Sequence, residues 1–246
     1  MTLFVTGGSR GIGRHIVLTA LQKGIDVAFT YRNPDTDVDA LLREAAAAAP
    51  GRVCKAYRLD VCDPDEVAEV AARVSGDFDR IDAVVNNAGI NRNGLAFSMT
   101  DEDWQTVIQT NLTGPFYVMR EFLPMFLAHK KGRFVTISSI AKDGIAGQAN
   151  YAASKAGLVG LSGTIAKEYG QKGITSNVVA PGMFETDMTK QTMSDELRQF
   201  WLQHCPLKRM GRLEELSETV LFLASDASGF INGQVINVTG GLDWAS

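Results

Sequence analysis

Tyr151 and Lys155 stand four residues apart in Tyr-Ala-Ala-Ser-Lys. On a helix that spacing puts both side chains on one face. A free phenol titrates near roughly 10 and is a poor acid-base group at neutral pH. An ammonium beside it stabilises the phenolate and draws that value down. Lys155 can supply this charge and can also hold a ribose. Ser138 closes an apolar, β-branched run, Arg133–Ser138, and its hydroxyl can hydrogen-bond a carbonyl. Ser139 is a neighbouring candidate. Successive strand residues point to opposite sides, so the two cannot serve equally. Asn111 lies in Asn-Leu-Thr-Gly-Pro, within an otherwise helical pattern. Gly114 and Pro115 disfavour regular helix there. A kink would free a carbonyl to bind water near the Lys155 ammonium.

A second group of residues points to phosphate. Thr6-Gly7-Gly8-Ser9-Arg10-Gly11-Ile12-Gly13 follows a short apolar run and precedes helix formers. Gly7 permits a tight turn, Gly11 lets the backbone approach a pyrophosphate, and Gly13 lets the helix pack on the sheet. The helix start then offers free N–H groups and a positive dipole end. The second apolar run ends at Thr30-Tyr31-Arg32, without the acid that a 2′-hydroxyl would call for. Arg10 and Arg32 can instead grip a 2′-phosphate by fork-shaped, charge-assisted hydrogen bonds. The expected cofactor is NADP(H).

These residues need a frame to position them. Runs rich in β-branched residues, Leu3–Thr6, Asp26–Tyr31, Val53–Leu59, Ala83–Asn86, Arg133–Ser138, Ile174–Val179 and Val235–Val238, read as strands. Helical patterns near 11–23, 37–48, 64–75, 102–128, 151–170 and 213–224 lie between them. The alternation predicts an α/β fold, a Rossmann-type doubly wound parallel sheet of about seven strands with helices on both faces. An eight-fold barrel shares the rhythm, but the Gly-rich first turn favours the open sheet. No linker divides the chain, so residues 1–246 read as one domain. Residues 183–212 break the rhythm, and such late insertions often cover a ligand crevice.

Composition narrows the function. The formal net charge is -4, which argues against nucleic acid as the main partner. Three cysteines and three histidines are scattered without ligand spacing, so neither a metal site nor a disulfide framework is expected. No apolar run is long enough to span a membrane and no signal peptide is apparent. Reduced thiols and a cytoplasmic location follow as expectations.

The combined pattern resembles the short-chain dehydrogenase/reductase family over essentially the whole chain. The match is carried by Thr6–Gly13, Asp60-Val61, Asn86-Asn87-Ala88-Gly89, Asn111, Ser138, Tyr151 with Lys155, and Pro181-Gly182. The resemblance selects Ser138 over Ser139 by its separation from Tyr151. It implies that Gly7, Ser9, Arg10, Gly11, Ile12 and Gly13 line the cofactor phosphates. It places Asp60 and Val61 at adenine, and Asn87, Ala88 and Gly89 on the adenosine ribose side. Pro181, Gly182, Phe184 and Thr186 would embrace the nicotinamide carboxamide. Tyr151 would donate the proton, Ser138 orient the carbonyl, Lys155 tune Tyr151, and Asn111 support a relay water.

Within the family the chain looks most like the 3-oxoacyl-[acyl-carrier-protein] reductases, through Gly147–Gly157, Asn177–Gly182, Glu185–Met188 and the tail from Phe222 to Gly241. This implies NADPH-dependent reduction of a 3-oxoacyl thioester in fatty-acid or polyketide/polyene biosynthesis. It also implies a homotetramer built partly on the 102–128 and 151–170 helices. Phe184, Lys142-Asp143, and Phe200, Trp201 and His204 depart from that pattern. They point away from a housekeeping fatty-acid role and toward a specialised polyketide or polyene pathway. The alternative is an oxidoreductase of the same fold acting on a sugar, polyol, cyclic ketone or steroid. A non-catalytic NADP-binding sensor would be expected to have lost part of the catalytic set, which is complete here. An acidic carrier protein needs local positive charge, for which Lys130, Lys131 and Lys172 are the candidates.

Overall fold

The structure, a computed structural model, describes residues 1–185 and 195–243. The β-branched runs form β1 (Thr2–Val5), β2 (Asp26–Tyr31), β3 (Cys54–Arg58), β4 (Ala83–Asn86), β5 (Gly132–Ile137), β6 (Ile174–Pro181) and β7 (Val235–Val238). All pair in parallel, in the order β3-β2-β1-β4-β5-β6-β7. The helices are α1 (Gly11–Gln22), α2 (Val38–Ala48), α3 (Pro64–Asp77), α4 (Asp101–Ile108), α5 (Gly114–His129), α6 (Ala149–Tyr169), α7 (Asp195–His204) and α8 (Leu213–Ala224). The chain runs outward from β1 in both directions, so a crevice opens at the carboxyl ends of β1 and β4.

Period-two alternation along the strands feeds two cores. Leu3, Val5, Val135 and Ile137 pack with α1, α2 and α8 on one face. Phe4, Val84 and Phe134 pack with α3, α5 and part of α6 on the other. Phe122 and Phe126 of α5 meet Phe4 and Phe134 with ring centroids 4.7 and 4.9 Å apart. Burying each such ring stabilises the fold by about 1.5–3 kcal/mol. Both faces are covered, which makes this one α/β domain rather than a half-exposed sheet.

The helix starts differ in how they are finished. Asp63 accepts from the N–H groups of Asp65 and Glu66 at the start of α3, with Pro64 in its first turn. Thr100 accepts from Asp103 N at the start of α4, whose first turn carries Asp101, Glu102 and Asp103. No side chain caps α1, and its first turn holds no acid.

The single helix expected over 102–128 is interrupted. A π-helical turn, Gln109–Thr113, separates α4 from α5. Pro115 has no N–H, which removes the regular α-helical donor from the carbonyl of Asn111 four residues earlier. Gly114 also presses against Val61, where an added Cβ would come within 2.8 Å. In the late insertion, α7 sets Trp201 and Cys205 against Ile140, Leu242 and the partly buried Met183. Among the described residues, no helix is long and apolar enough to cross a membrane.

Candidate active site

The turn after β1 is built for close approach. Gly7 and Gly11 take φ of +66° and +54°, left-handed values that favour glycine. A Cβ on Gly13 would lie 2.2 Å from the Gly7 carbonyl oxygen, so only glycine lets α1 start this close to the turn. A Cβ on Gly11 would meet nothing within 4 Å, which leaves open space at the uncapped start of α1. Free N–H groups, a positive helix end and room for a ligand backbone fit a pyrophosphate. Ser9 is half-buried at the rim and Arg10 is exposed. Ile12 packs its side chain against the first core, so only its backbone is placed to face phosphate.

Thr6 and Asn87 hold the turn to β4. Thr6 Oγ1 accepts from the N–H groups of Asn87 and Ala88, both at 3.0 Å. Asn87 Nδ2 donates to the carbonyls of Thr6 and Gly7, both at 3.0 Å. The Asn87 amide, expected at the ribose, is thus engaged in bracing the glycine turn. The sequence pattern includes Thr6 but assigns its side chain no role, although a hydroxyl at a strand end beside a Gly-rich turn is a usable signal.

Beyond β2, Tyr31 is half-buried and Arg32 exposed. Arg32 Nε lies 3.5 Å from Asp60 Oδ2. Asp60 Oδ1 accepts from Cys62 N at 3.0 Å, so this carboxylate braces the end of β3 while holding the guanidinium at the crevice mouth. The Val61 side chain is buried against Gly114 and offers adenine no free apolar face.

The catalytic candidates converge at the carboxyl ends of β4 and β5. Lys155 is buried, and its Nζ donates to the Ile137 carbonyl at 2.8 Å. Burial pulls its ammonium down to about 8. Nζ sits 5.5 Å from the Tyr151 ring centroid. A Cβ on Gly89 would fall 3.2 Å from Asn111 Oδ1 and 3.5 Å from Lys155 Nζ, so Gly89 sits close against both groups. Asn111 is fully buried; Oδ1 accepts from Ile90 N at 2.8 Å, and Nδ2 donates to Ile90 O at 2.9 Å and to Ser154 Oγ at 3.1 Å. Ser154 Oγ in turn donates to the Tyr151 carbonyl at 2.7 Å.

Two of the expected residues have surroundings that differ from the expected roles. The first concerns serine. The Ser138 hydroxyl donates to the Lys155 carbonyl at 2.8 Å and is buried in that bond. The serine side chain that acts on the Tyr151 phenol is Ser139, whose Oγ also accepts from Ala141 N at 3.1 Å. The cause is one residue of register: β5 ends at Ile137, and Ser139 is extended with φ of −165° before a short 3₁₀ turn at Ile140–Asp143. Alternation therefore points Ser138 into α6 and Ser139 into the crevice. The second concerns Tyr151. Burial pushes its phenol above the ordinary value, and the Ser139 hydrogen bond is the influence that lowers it. The structure thus favours a neutral phenol, the form that can give a proton.

Pro181 ends β6, and Gly182 packs on Thr239, where a Cβ would come within 2.9 Å of the backbone. Phe184 was expected beside a carboxamide. Its side chain instead joins the first core and lies over Gly211, where an added Cβ would be 2.4 Å from the ring. Thr186 lies outside the described residues. Among the described residues, no group of three His, Cys, Asp or Glu could hold a metal ion.

The lysine candidates lie at the other end of the sheet. Lys130 ends α5 with φ of +50°, and its carbonyl abuts Gly173, which places Lys172 close by. Lys131 Nζ pairs with Asp226 Oδ2 at 2.6 Å.

With this geometry in place, comparison with known proteins is informative. Residues 7–243 match a family model described as enoyl-(acyl carrier protein) reductase. The chain belongs to the short-chain dehydrogenase/reductase family. It is therefore an oxidoreductase acting on CH–OH/C=O groups, in a family that uses a nicotinamide cofactor. It is 41% identical over 239 residues to a 3-oxoacyl-[acyl-carrier-protein] reductase of Staphylococcus epidermidis, covering 97% of each chain. It is 42% identical over 240 residues to the corresponding reductase of Synechocystis sp., covering 97% of this chain and 95% of that protein. A crystal structure of levodione reductase superposes with a TM-score of 0.94 at 29% identity, covering 100% of this chain and 98% of that one.

Proposed function

We propose that this short-chain dehydrogenase/reductase reduces a 3-oxoacyl thioester, carried on acyl carrier protein, to the 3-hydroxyacyl thioester with NADPH in the cytoplasm. The observation that carries the reading is a complete catalytic set in a chain at least 41% identical, nearly end to end, to two reductases of that name. When bound, the cofactor supplies the hydride. Tyr151 Oη gives its proton to the carbonyl oxygen. Ser139 Oγ donates a hydrogen bond to the same oxygen and fixes its place. Lys155 holds the nicotinamide ribose and stabilises the phenolate left behind. Asn111, whose carbonyl has lost its regular helical donor, seats the water that returns a proton through Lys155.

The preference for NADPH rests on Arg10 and Arg32 at the crevice mouth. Asp60 holds Arg32 without burying it, leaving its side chain 62% exposed and able to meet a 2′-phosphate. Further work for the chain is set by the far edge of the sheet. Lys130 lies there beside Gly173, the neighbour of Lys172, with Lys131 restrained by Asp226. The six residues of β5 separate this patch from the same chain's Ser139 by roughly 20 Å. A carrier docked on Lys130, Lys131 and Lys172 would need to span that distance with its acyl group, or present the group to a neighbouring copy. That arrangement agrees with a homotetramer in which α4, α5 and α6 meet their counterparts, and Trp104 and Phe116 are half-exposed on α4 and α5.

The deciding assay follows NADPH oxidation with a 3-oxoacyl carrier-protein substrate, a truncated thioester and a panel of cyclic ketones, with NADH in parallel. Fast turnover of the carrier-bound substrate supports the reading. Turnover of cyclic ketones alone would replace it with the second reading, which the close superposition on levodione reductase favours. Charge reversal at Lys130 and Lys172 should raise KM for the carrier-bound substrate and leave the truncated thioester unaffected.

A further inference from the structure

Asn150 precedes Tyr151 and has no part in the chemistry described above, yet it is fully buried. Its Nδ2 donates to the Arg92 carbonyl at 3.0 Å and to the Asp103 carbonyl at 3.2 Å. Its Oδ1 accepts from the N–H of Tyr151 at 2.7 Å. Both amide hydrogens and the amide oxygen are therefore engaged, with three different segments of chain.

The start of α6 explains why. Gln148 occupies the N-cap position but supplies no side-chain cap. The first N–H groups of a helix need partners from outside the helical ladder. Asn150 meets this need for Tyr151 itself, from within the first turn. The same side chain reaches out to the 90–94 segment and to α4. A single buried amide thus ties the backbone of the proton donor to the chain that lines the crevice after β4.

That chain is held at alternate residues. Asn111 grips Ile90 through both its N–H and its carbonyl. Asn150 grips Arg92. Gly94 N donates to the Gly147 carbonyl at 2.9 Å, just ahead of α6. On the outside, Arg92 pairs with Asp103 at 2.8 Å, closing the corner that the Asn150 amide fills. Past this point the chain exposes Leu95 and Phe97. Ser154 links Asn111 to the Tyr151 backbone from behind, because it accepts from Asn111 and donates to the Tyr151 carbonyl.

We propose that Asn150 is a positioning residue that couples the 90–94 segment to Tyr151, fixing the phenol against the substrate carbonyl. The proposal rests on Tyr151 being the proton donor. Removing the amide leaves the catalytic side chains present but frees the first turn of α6 to shift. A misplacement of about 1 Å can cost on the order of 100-fold in rate.

The test is a double-mutant cycle with Asn150→Ser and Tyr151→Phe in the full-length enzyme, with Asn150→Ala as a second entry to the cycle. Serine can still cap the Tyr151 N–H but cannot bridge two carbonyls. The expected result is a fall in kcat of about 10- to 100-fold for Asn150→Ser, with NADPH affinity by fluorescence titration within about twofold of wild type. If Asn150 acts through the phenol, the double variant should be no slower than Tyr151→Phe alone. Unchanged kcat in Asn150→Ser would overturn the proposal. So would a further full loss on top of Tyr151→Phe, or a loss of NADPH binding parallel to the loss of kcat, because each would mark a general structural role. If Tyr151→Phe turns over normally, the proton-donor assignment fails instead, and that outcome is visible in the single variant.

Discussion

The two ends of the parallel sheet treat their buried charges differently. At the amino ends of the strands, cations meet carboxylates. Lys131 and Arg133 reach Asp226 at 2.6 and 3.4 Å, the chain amino group and Arg80 reach Asp82, and Arg52 lies 3.7 Å from Asp26. At the carboxyl ends, the Lys155 ammonium is buried with a backbone carbonyl as its hydrogen-bond partner, and no carboxylate pairs with it among the described residues. Beside it stand a neutral phenol, a serine hydroxyl and a bare helix start. Desolvating an unpaired ammonium is unfavourable, and the fold accepts this at the carboxyl edge. Ion pairs tie strands together; an unpaired, desolvated set is free to act on a ligand. Within the carboxyl edge the helix starts also differ, since Asp63 and Thr100 close α3 and α4 while α1 is left open at the glycine turn.

Substitutions at the two edges should separate cleanly. Tyr151→Phe removes the proton donor and should lower kcat by about 100- to 10,000-fold while the Kd for NADPH stays near wild type. Wild-type turnover in a steady-state assay would break the contrast at its centre.

Lys155 supplies a test by stability rather than rate. Its ordinary value of 10.5 in the unfolded chain falls to about 8 in the fold. Between those values the unfolded chain binds more protons, so the contribution of Lys155 to stability rises as pH rises from about 8 to 10.5. Below about 8 the burial penalty is complete. The gain across the window is on the order of 3 kcal/mol. Urea unfolding of wild type and Lys155→Met at several pH values should show the difference between them move by that amount in favour of wild type. A pH-independent difference would mean that the ammonium is not desolvated.

The serine pair gives a finer contrast. Ser139→Ala should cost kcat about 100-fold, as the loss of one donor to a developing oxyanion does. Ser138→Ala should act mainly through stability, by about 1 kcal/mol for its bond to the Lys155 carbonyl, read as a lower Tm with kcat kept within a few-fold. The reverse ranking would restore Ser138 as the carbonyl binder. Smallest of all, Asp226→Asn at the paired edge should cost no more than about 1 kcal/mol in urea unfolding, since Asp226 is 71% exposed, and should leave kcat unchanged. A large loss of activity there would end the division between the edges.

The frame was readable from local patterns. Strand and helix periodicity, the glycine turn, and the Tyr151–Lys155 spacing are properties of neighbouring residues. They gave the strands to within two residues and the doubly wound sheet. The break in the expected 102–128 helix was also written locally, in Gly114-Pro115. What periodicity could not report is how one segment ends against another. Ser138 and Ser139 are adjacent, equally hydroxylated and equally near a strand end. Which one faces the crevice depends on β5 stopping at Ile137, where its pairing with β6 and the short turn at Ile140–Asp143 take over.

The same division holds for the supporting residues. Asn150 reads in the sequence as an ordinary polar residue at a helix start. Only the folded chain brings the carbonyls of Arg92 and Asp103 to its amide. Asn87 and Phe184 stand at positions where the family pattern suggests a ligand, yet their side chains brace the glycine turn and fill the core. The amino-acid sequence by itself determined the parallel sheet, the open helix start and the pair of side chains that can move a proton, because each follows from spacing along the chain. Tertiary structure alone decided which serine meets the phenol, which amide holds it and which cations remain unpaired, because these depend on distances between residues remote in sequence and on the water that packing excludes.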